Sequence, residues 1–242
     1  MRTVAVVLAA GSGQRFGAAV PKQFLPLAGR TLLEHSVAAF EQAPGVGEIL
    51  VVAGPGQLGA VRELLAGAGC RKLSGIIEGG VARPDSTRRA IAALGDRDCD
   101  VLFHDAARPL VEQGTIAACL AALRTHRAVG VAVPASDTIV VVRDGIMTGM
   151  PHRDSLRRCQ TPQGFRLSVI RRAHELALAD PAAVDLPHTD DCGVVLRYLP
   201  DVPVAVVPGS ERNTKITYPS DLRVAEALLA AAEDAAVSAD GR

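Results

Sequence analysis

The residues best suited to chemistry fall in three short turns. The first reads LAAGSGQRFGAAVPKQF, with Gly11, Gly13 and Gly17 followed or interleaved by two cations, Arg15 and Lys22. Small residues let a backbone approach a ligand closely, and successive N–H groups can cradle an anion. The glycine spacing is G-x-G-x-x-x-G, so it is not the dinucleotide fingerprint, and no G-K-[ST] follows to make a Walker A loop. Holding a phosphate between fixed cations is the chemistry this loop suits; a Gly-rich surface turn is the plainer alternative. The second turn, EGGVARPDSTRRA, sets Gly80, Arg83 and Ser86 at a helix start, where backbone N–H groups and the macrodipole favour anions. An ordinary cap with a solvated arginine is its alternative. The third, FHDAARP, puts Asp105 and Arg108 straight after a buried strand. That carboxylate could take a metal, a sugar hydroxyl or simply the neighbouring arginine.

Four further residues stand in polar segments: Arg153 in HRDSLRR, Thr161 in QTPQGF, Thr189 in HTDDCG and Lys215 in ERNTKIT. Thr189 with Asp190 and Asp191 reads most simply as a helix cap with an acidic first turn. The chain has three lysines, Lys22, Lys72 and Lys215, among 26 basic residues, so two of the three lie in these segments. The six histidines show no metal-ligand spacing, and no protein metal site is expected. No G-x-S-x-G elbow occurs, which argues against a serine hydrolase.

These turns need a frame. Apolar runs at Val4–Leu8, Glu48–Ala53, Ile76–Glu78, Asp100–His104, Val129–Val133 and Val202–Val207 read as strands. Helical patterns lie at Thr31–Gln42 (a capping box of Thr31 and Glu34), Gln57–Ala66, Asp85–Leu94 (capped by Asp85 or Ser86), Thr115–Thr125, Leu167–Ala179 and Asp221–Ala236. Strands apolar throughout, alternating with helices, predict an α/β fold: a Rossmann-like, mostly parallel sheet with helices on both faces. Ligands then bind outside the carboxyl ends of the strands, where all three turns fall. The rhythm breaks at Ser136–Gln160. There Thr138–Val142 and Ile146–Met150 flank Asp144-Gly145, a strong hairpin signal. A lone hairpin is marginal in water, so its apolar residues should pack against either their own domain or a second subunit.

With 242 residues, no repeat and no long linker, a single domain spanning 1–242 is expected. Lys+Arg and Asp+Glu are both 26, which argues against a general nucleic-acid binder. Apolar runs such as Val4–Ala10 fall far short of the roughly 18 residues a membrane span needs, and no signal peptide is read, so no membrane partner is expected. Five scattered cysteines without a C-x-x-C suit reduced thiols in the cytoplasm.

Taken in order, LAAGSGQRFG, PKQF, GGVARPDS, HDAARP, PASDTI, QTPQGF, TDD and NTKITYPSDL resemble the 2-C-methyl-D-erythritol 4-phosphate cytidylyltransferases of the non-mevalonate isoprenoid route. The match covers nearly the whole chain. The related ribitol-5-phosphate cytidylyltransferases tend to carry HDSVRP in place of HDAARP. The resemblance implies transfer of CMP from CTP to a polyol phosphate, with Mg2+ held mainly by the CTP phosphates. It makes Arg15 and Lys22 the cations that stabilise the transition state. Ala9, Ala10, Gly11, Gly80 and Ser86 would hold the cytidine, with Gly13, Arg83, Ala106 and Arg108 also in the binding set. Asp105, Thr161, Thr189 and Lys215 would form the methylerythritol phosphate pocket, with Arg153 and Lys215 on the attacking phosphate. The arm at about 135–160 would exchange across a homodimer, carrying Thr138 and Arg153 into the partner's site. One position departs from the family: Arg157 stands where an aromatic is usual.

Overall fold

The computed structural model describes residues 2–11, 16, 20–181 and 190–240, the last eight by backbone alone. Its centre is a seven-stranded sheet. The chain enters through β1 (Arg2–Ala9), then makes a small antiparallel pair, β2 (Pro26–Leu27) and β3 (Arg30–Thr31), before α1 (Leu32–Gln42). Next come β4 (Glu48–Ala53), α2 (Leu58–Ala66), β5 (Leu73–Glu78), α3 (Arg83–Leu94), β6 (Cys99–Asp105), α4 (Gln113–Leu123) and β7 (Ala128–Pro134). The arm holds β8 (Val141–Arg143) and β9 (Ile146–Gly149). Then follow β10 (Arg157–Arg166), α5 (Leu167–Ala179), α6 (Asp191–Tyr198), β11 (Val204–Pro208) and α7 (Pro219–Asp240).

In space the order is β11-β7-β10-β6-β1-β4-β5. Every neighbouring pair is parallel except those that β10 makes with β6 and β7. All seven residues of β6 and all six of β4 are buried, which is why both read as continuous runs rather than alternating ones. On one face β1, β4 and β6 give Val6, Val52 and Phe103 to helices α3, α5 and α6. On the other they give Val7, Val51 and Leu102 to α1, α2 and α4. After β1 the chain builds outward to β4 and β5, then returns to place β6 on the other side of β1. The β1/β6 junction is therefore a topological switch point, where a crevice opens at the carboxyl ends.

Several boundaries differ from the sequence reading. α3 starts at Arg83, not Asp85, and neither Asp85 nor Ser86 is its cap. Ala82 holds that position, and Asp85, at the third helical residue, accepts the Ala82 N–H at 3.1 Å. The last helix runs to Asp240 rather than ending at Ala236. The larger correction is β10, a ten-residue central strand where the rhythm was read as broken as far as Gln160 and no central strand was expected. Pro162 cannot donate to a ladder, and the β10 register slips between Gln160 and Gln163 to accommodate it. The hairpin itself forms at Asp144-Gly145, both residues with positive φ, as a separate two-stranded sheet. Its strands are solvent-exposed, including Val142, Ile146 and Met147.

The predicted capping box is present: Glu34 N–H reaches Thr31 Oγ1 at 3.2 Å and Thr31 N–H reaches Glu34 Oε2 at 2.7 Å. Thr31→Ala is expected to cost about 1 kcal/mol of unfolding free energy. Phe40→Ala, which empties a site with 0% exposure beneath α1, is expected to cost about 3–5 kcal/mol. Urea denaturation checks both, and equal losses would contradict the packing described.

Candidate functional site

A cleft of about 270 Å³ opens at the β1/β6 switch point. Its floor is Ala9, Ala10 and Gly11 from the end of β1, and Ala106 and Ala107 from the end of β6. The start of α3 supplies a wall through Ala82, Arg83 and Ser86. This wall needs glycine behind it. A Cβ on Gly79 would lie 2.7 Å from Ala10 Cβ, and one on Gly80 would collide with the Asp85 side chain. Gly80 does not line the cleft: its N–H is given to Ser86 Oγ at 3.2 Å, so Ser86 fastens the turn as well as facing the cavity. Lys22, at the head of a short 3-10 turn, also lines the cleft, and its Nζ donates to the Ile216 carbonyl at 3.3 Å.

A second cleft of about 210 Å³ adjoins the first, lined by Arg108, Cys159, Gln160, Thr161, Gln163 and Asp190. Arg83, Asp105 and Lys215 line both. Lys215 Nζ donates to Asp105 Oδ2 at 2.6 Å, and Arg83 Nε lies 3.3 Å from Oδ1. Burial alone would raise the Asp105 pKa; Arg83 and Lys215 outweigh it and hold the carboxyl well below the usual carboxylate range. The Asp105–Arg108 pair considered from sequence does not form. Arg108 instead donates to the carbonyls of Asn213 at 2.8 Å and Cys159 at 3.3 Å. The first cleft thus carries Lys22, Arg83 and Lys215 against Asp105, a surplus of positive charge matched to an anionic ligand.

Thr161 is fixed by its neighbours. The Asp105 N–H donates to Thr161 Oγ1 at 3.1 Å, and Oγ1 lies 3.0 Å from His104 Nδ1. His104 Nε2 lies 3.0 Å from the Arg108 carbonyl, which can only accept. Nε2 therefore carries the ring proton, Nδ1 accepts, and the Thr161 hydroxyl must donate inward. What remains on Oγ1 is a lone pair, so toward a ligand Thr161 can only accept. Burial lowers the His104 pKa to about 4, which keeps the ring neutral near pH 7.

Of the residues singled out from sequence, Ala9, Ala10, Gly11, Lys22, Ser86 and Ala106 face the first cleft, Arg108 and Thr161 the second, and Arg83, Asp105 and Lys215 both. Thr138 and Arg153 are exposed on the arm and line neither cleft of their own chain. Gly13, Arg15 and Thr189 lie outside the described residues. Among the residues missed, two fix the site's frame. Gln163, 1% exposed, accepts the N–H groups of Asp191 and Cys192 at 3.0 and 3.1 Å, capping α6 from β10. Asn213, 0% exposed, donates to the Thr161 carbonyl at 2.8 Å. A polar residue inside QTPQGF, and Asn before Thr-Lys, were the available signals. Among the described residues no three His, Cys, Asp or Glu side chains are grouped to hold a metal ion.

The buried His104 gives a pH test. Between its folded value of about 4 and its ordinary 6.5, the unfolded chain binds a proton that the folded chain refuses. Its contribution is complete above pH 6.5 and declines toward pH 4. About 2 kcal/mol should be lost between pH 7 and pH 5 in urea titrations. His104→Asn should flatten that slope; an equally steep slope in the variant would contradict the assignment.

The family model described as IspD: 2-C-methyl-D-erythritol 4-phosphate cytidylyltransferase matches residues 3–231. The 2-C-methyl-D-erythritol 4-phosphate cytidylyltransferase of Thermobifida fusca is 52% identical over 235 residues, covering 94% of this chain and 93% of that one. The crystal structure of 4-diphosphocytidyl-2C-methyl-D-erythritol synthase from Anaerococcus prevotii superposes with a TM-score of 0.82 at 27% identity, covering 94% of this chain and 96% of its own. A bifunctional ribulose 5-phosphate reductase/CDP-ribitol pyrophosphorylase of Haemophilus influenzae is 37% identical over 231 residues, covering 94% of this chain and 48% of that one. With the model match running through both clefts and across almost all of the sheet, the chain belongs to the 2-C-methyl-D-erythritol 4-phosphate cytidylyltransferase family.

Proposed function

We propose that this protein transfers CMP from CTP to 2-C-methyl-D-erythritol 4-phosphate, releasing pyrophosphate, as a step of isoprenoid precursor synthesis. The observation that carries the reading is a pair of adjoining clefts sharing one charged wall, Arg83, Asp105 and Lys215, in a chain of this family. Two substrates must meet at one phosphorus, and a shared wall is what such a meeting requires. The first cleft takes the nucleotide, with Lys22 and Arg15 as the cations of the transferring phosphate. Backbone groups at Ala9–Gly11 read the pyrimidine, and the close packing behind Gly79 and Gly80 leaves a site of limited size. The second cleft takes the polyol phosphate.

The acceptor phosphate oxygen attacks the α-phosphorus in line. A P–O bond forms as the bond to the β-phosphate breaks, and pyrophosphate leaves with the electron pair. The acceptor is already ionised near pH 7, so no side chain need remove a proton. Charge shifts onto the α-phosphoryl oxygens and the leaving group, where Lys22 and Arg15 act. Lys215, anchored by Asp105, meets the acceptor phosphate. Thr161 accepts from a polyol hydroxyl, since its own proton is committed to His104. Asp105 is saturated by Lys215 and Arg83, so the donor set suits a Mg2+ ion that brings phosphate oxygens with it. When bound, that ion neutralises charge on the triphosphate and its departing part.

The arm supports a homodimer. Its exposed Val142, Ile146 and Met147 make an apolar surface that a second copy would cover, bringing Thr138 and Arg153 to the neighbouring site. Five free cysteines fit a reducing cytoplasm. The Haemophilus influenzae relative, named a CDP-ribitol pyrophosphorylase, gives a second reading in which ribitol phosphate is the acceptor.

Pyrophosphate release with CTP, Mg2+ and each acceptor in turn decides between them: turnover is expected with methylerythritol phosphate, and turnover with ribitol phosphate alone would reassign the substrate. Lys22→Ala should lower kcat by about 10²–10³ without a change in melting temperature. A near-normal rate would remove Lys22 from the mechanism. Deleting residues 138–150 should give a monomer of low activity, and an unaltered dimer in sedimentation would refute the exchanged arm.

A further inference from the structure

Asp191 opens α6 and is 1% exposed, yet it lines neither cleft. Burying a carboxylate is costly unless it is paired, and even a well-made buried pair is seldom a net source of stability. Its partners show what it holds. Oδ2 is 2.8 Å from Arg83 Nη1, and Oδ1 is 3.4 Å from Nε2 of His174, itself 3% exposed. Arg83 and His174 outweigh the upward push of burial and keep Asp191 below the usual carboxylate range.

Arg83 is thus gripped at two places by two carboxylates. Nη1 faces Asp191, and Nε makes a single long contact of 3.3 Å with Asp105. Nη2 is buried without a hydrogen-bond partner among the described residues. Left to itself, a guanidinium prefers a two-pronged pair with a carboxylate. Arg83 on Asp105 would then engage both carboxylate oxygens, one of which now holds Lys215 at 2.6 Å. Asp191 instead holds the other end of the guanidinium, through Nη1.

We infer that Asp191 is a positioning residue for the transfer: it holds Arg83 off a two-pronged pair with Asp105, so that Asp105 keeps Lys215 at the junction of the clefts. The inference rests on the acceptor occupying the second cleft, as proposed above. Because Lys215 is the group that meets the acceptor phosphate, the larger effect of Asp191 falls on the acceptor's reaction and the smaller on nucleotide affinity.

Three measurements test it. First, Asp191→Asn should lower kcat/KM for the acceptor by roughly 10- to 100-fold, the scale of loss when a reacting group is displaced by about 1 Å. CTP affinity, read by calorimetry without acceptor, should fall less than kcat/KM for the acceptor; an equal or larger fall in CTP affinity would show a merely structural role and overturn the inference. Second, in an Arg83→Ala background the Asp191→Asn change should add less than about twofold, because Asp191 acts through Arg83. An undiminished loss there overturns the inference. This comparison also serves if Asp191→Asn alone does not fold, since the double variant leaves no unpaired cation. Third, the crystal structure of Asp191→Asn should show Arg83 turned onto both Asp105 oxygens. An unmoved Arg83 overturns the inference whichever acceptor is used, whereas a wild-type enzyme inactive on methylerythritol phosphate rejects only the substrate assignment.

Discussion

The site depends on one buried carboxylate that stays ionised. Asp105 sits at the end of a wholly buried strand, where desolvation works against its charge, and it keeps that charge because Lys215 and Arg83 stand on its two oxygens. The arrangement is mutual. Without Asp105, two cations would face each other across the junction of the clefts, and neither would have a fixed place. An anion in the middle lets positive groups be crowded at the junction of the clefts, at a geometry set before any ligand arrives. Preorganised charge of this kind costs no reorganisation during the reaction.

The fold supplies that geometry by convergence from distant parts of the chain. The β1 and β6 ends lie side by side because the sheet reverses its direction of growth between them. β10, running against its neighbours, brings Thr161 in from the opposite direction to meet the Asp105 amide. Asn213 then ties the β10 backbone to the segment bearing Lys215. Polar groups are satisfied inward first, so their remaining capacity toward a ligand is limited and directional, as at Thr161.

The parts legible in the sequence share a physical reason. Strands buried on both faces leave unbroken apolar runs, as in Glu48–Ala53, and the Thr31/Glu34 box and Asp144-Gly145 are local signals for local structure. The three turns were found because small and charged residues cluster there. What was not legible is long-range. The true partners of Asp105 lie 22 and 110 residues away, whereas the candidate three residues on does not pair with it. Pro162 disguised a central strand, since its allowance depends on a local slip in register that no residue announces. Asp191 looked like first-turn decoration for a helix. Its importance follows only once α6 is packed against the start of α3.

The placement of β10 also bears on how the molecule is assembled. β7 touches β10 and β11 but not β6, so when the ribosome has delivered residues 1–134 the strand has no neighbour to join. The block β6-β1-β4-β5 can form early from nearby segments. β7 must wait for Arg157–Arg166 to be wedged between it and β6, and β11 must wait for β7. Pairings of such separation are slow to nucleate. During that interval the outer edge of β6 is open, and the nascent chain is most exposed to capture by another strand on that flank.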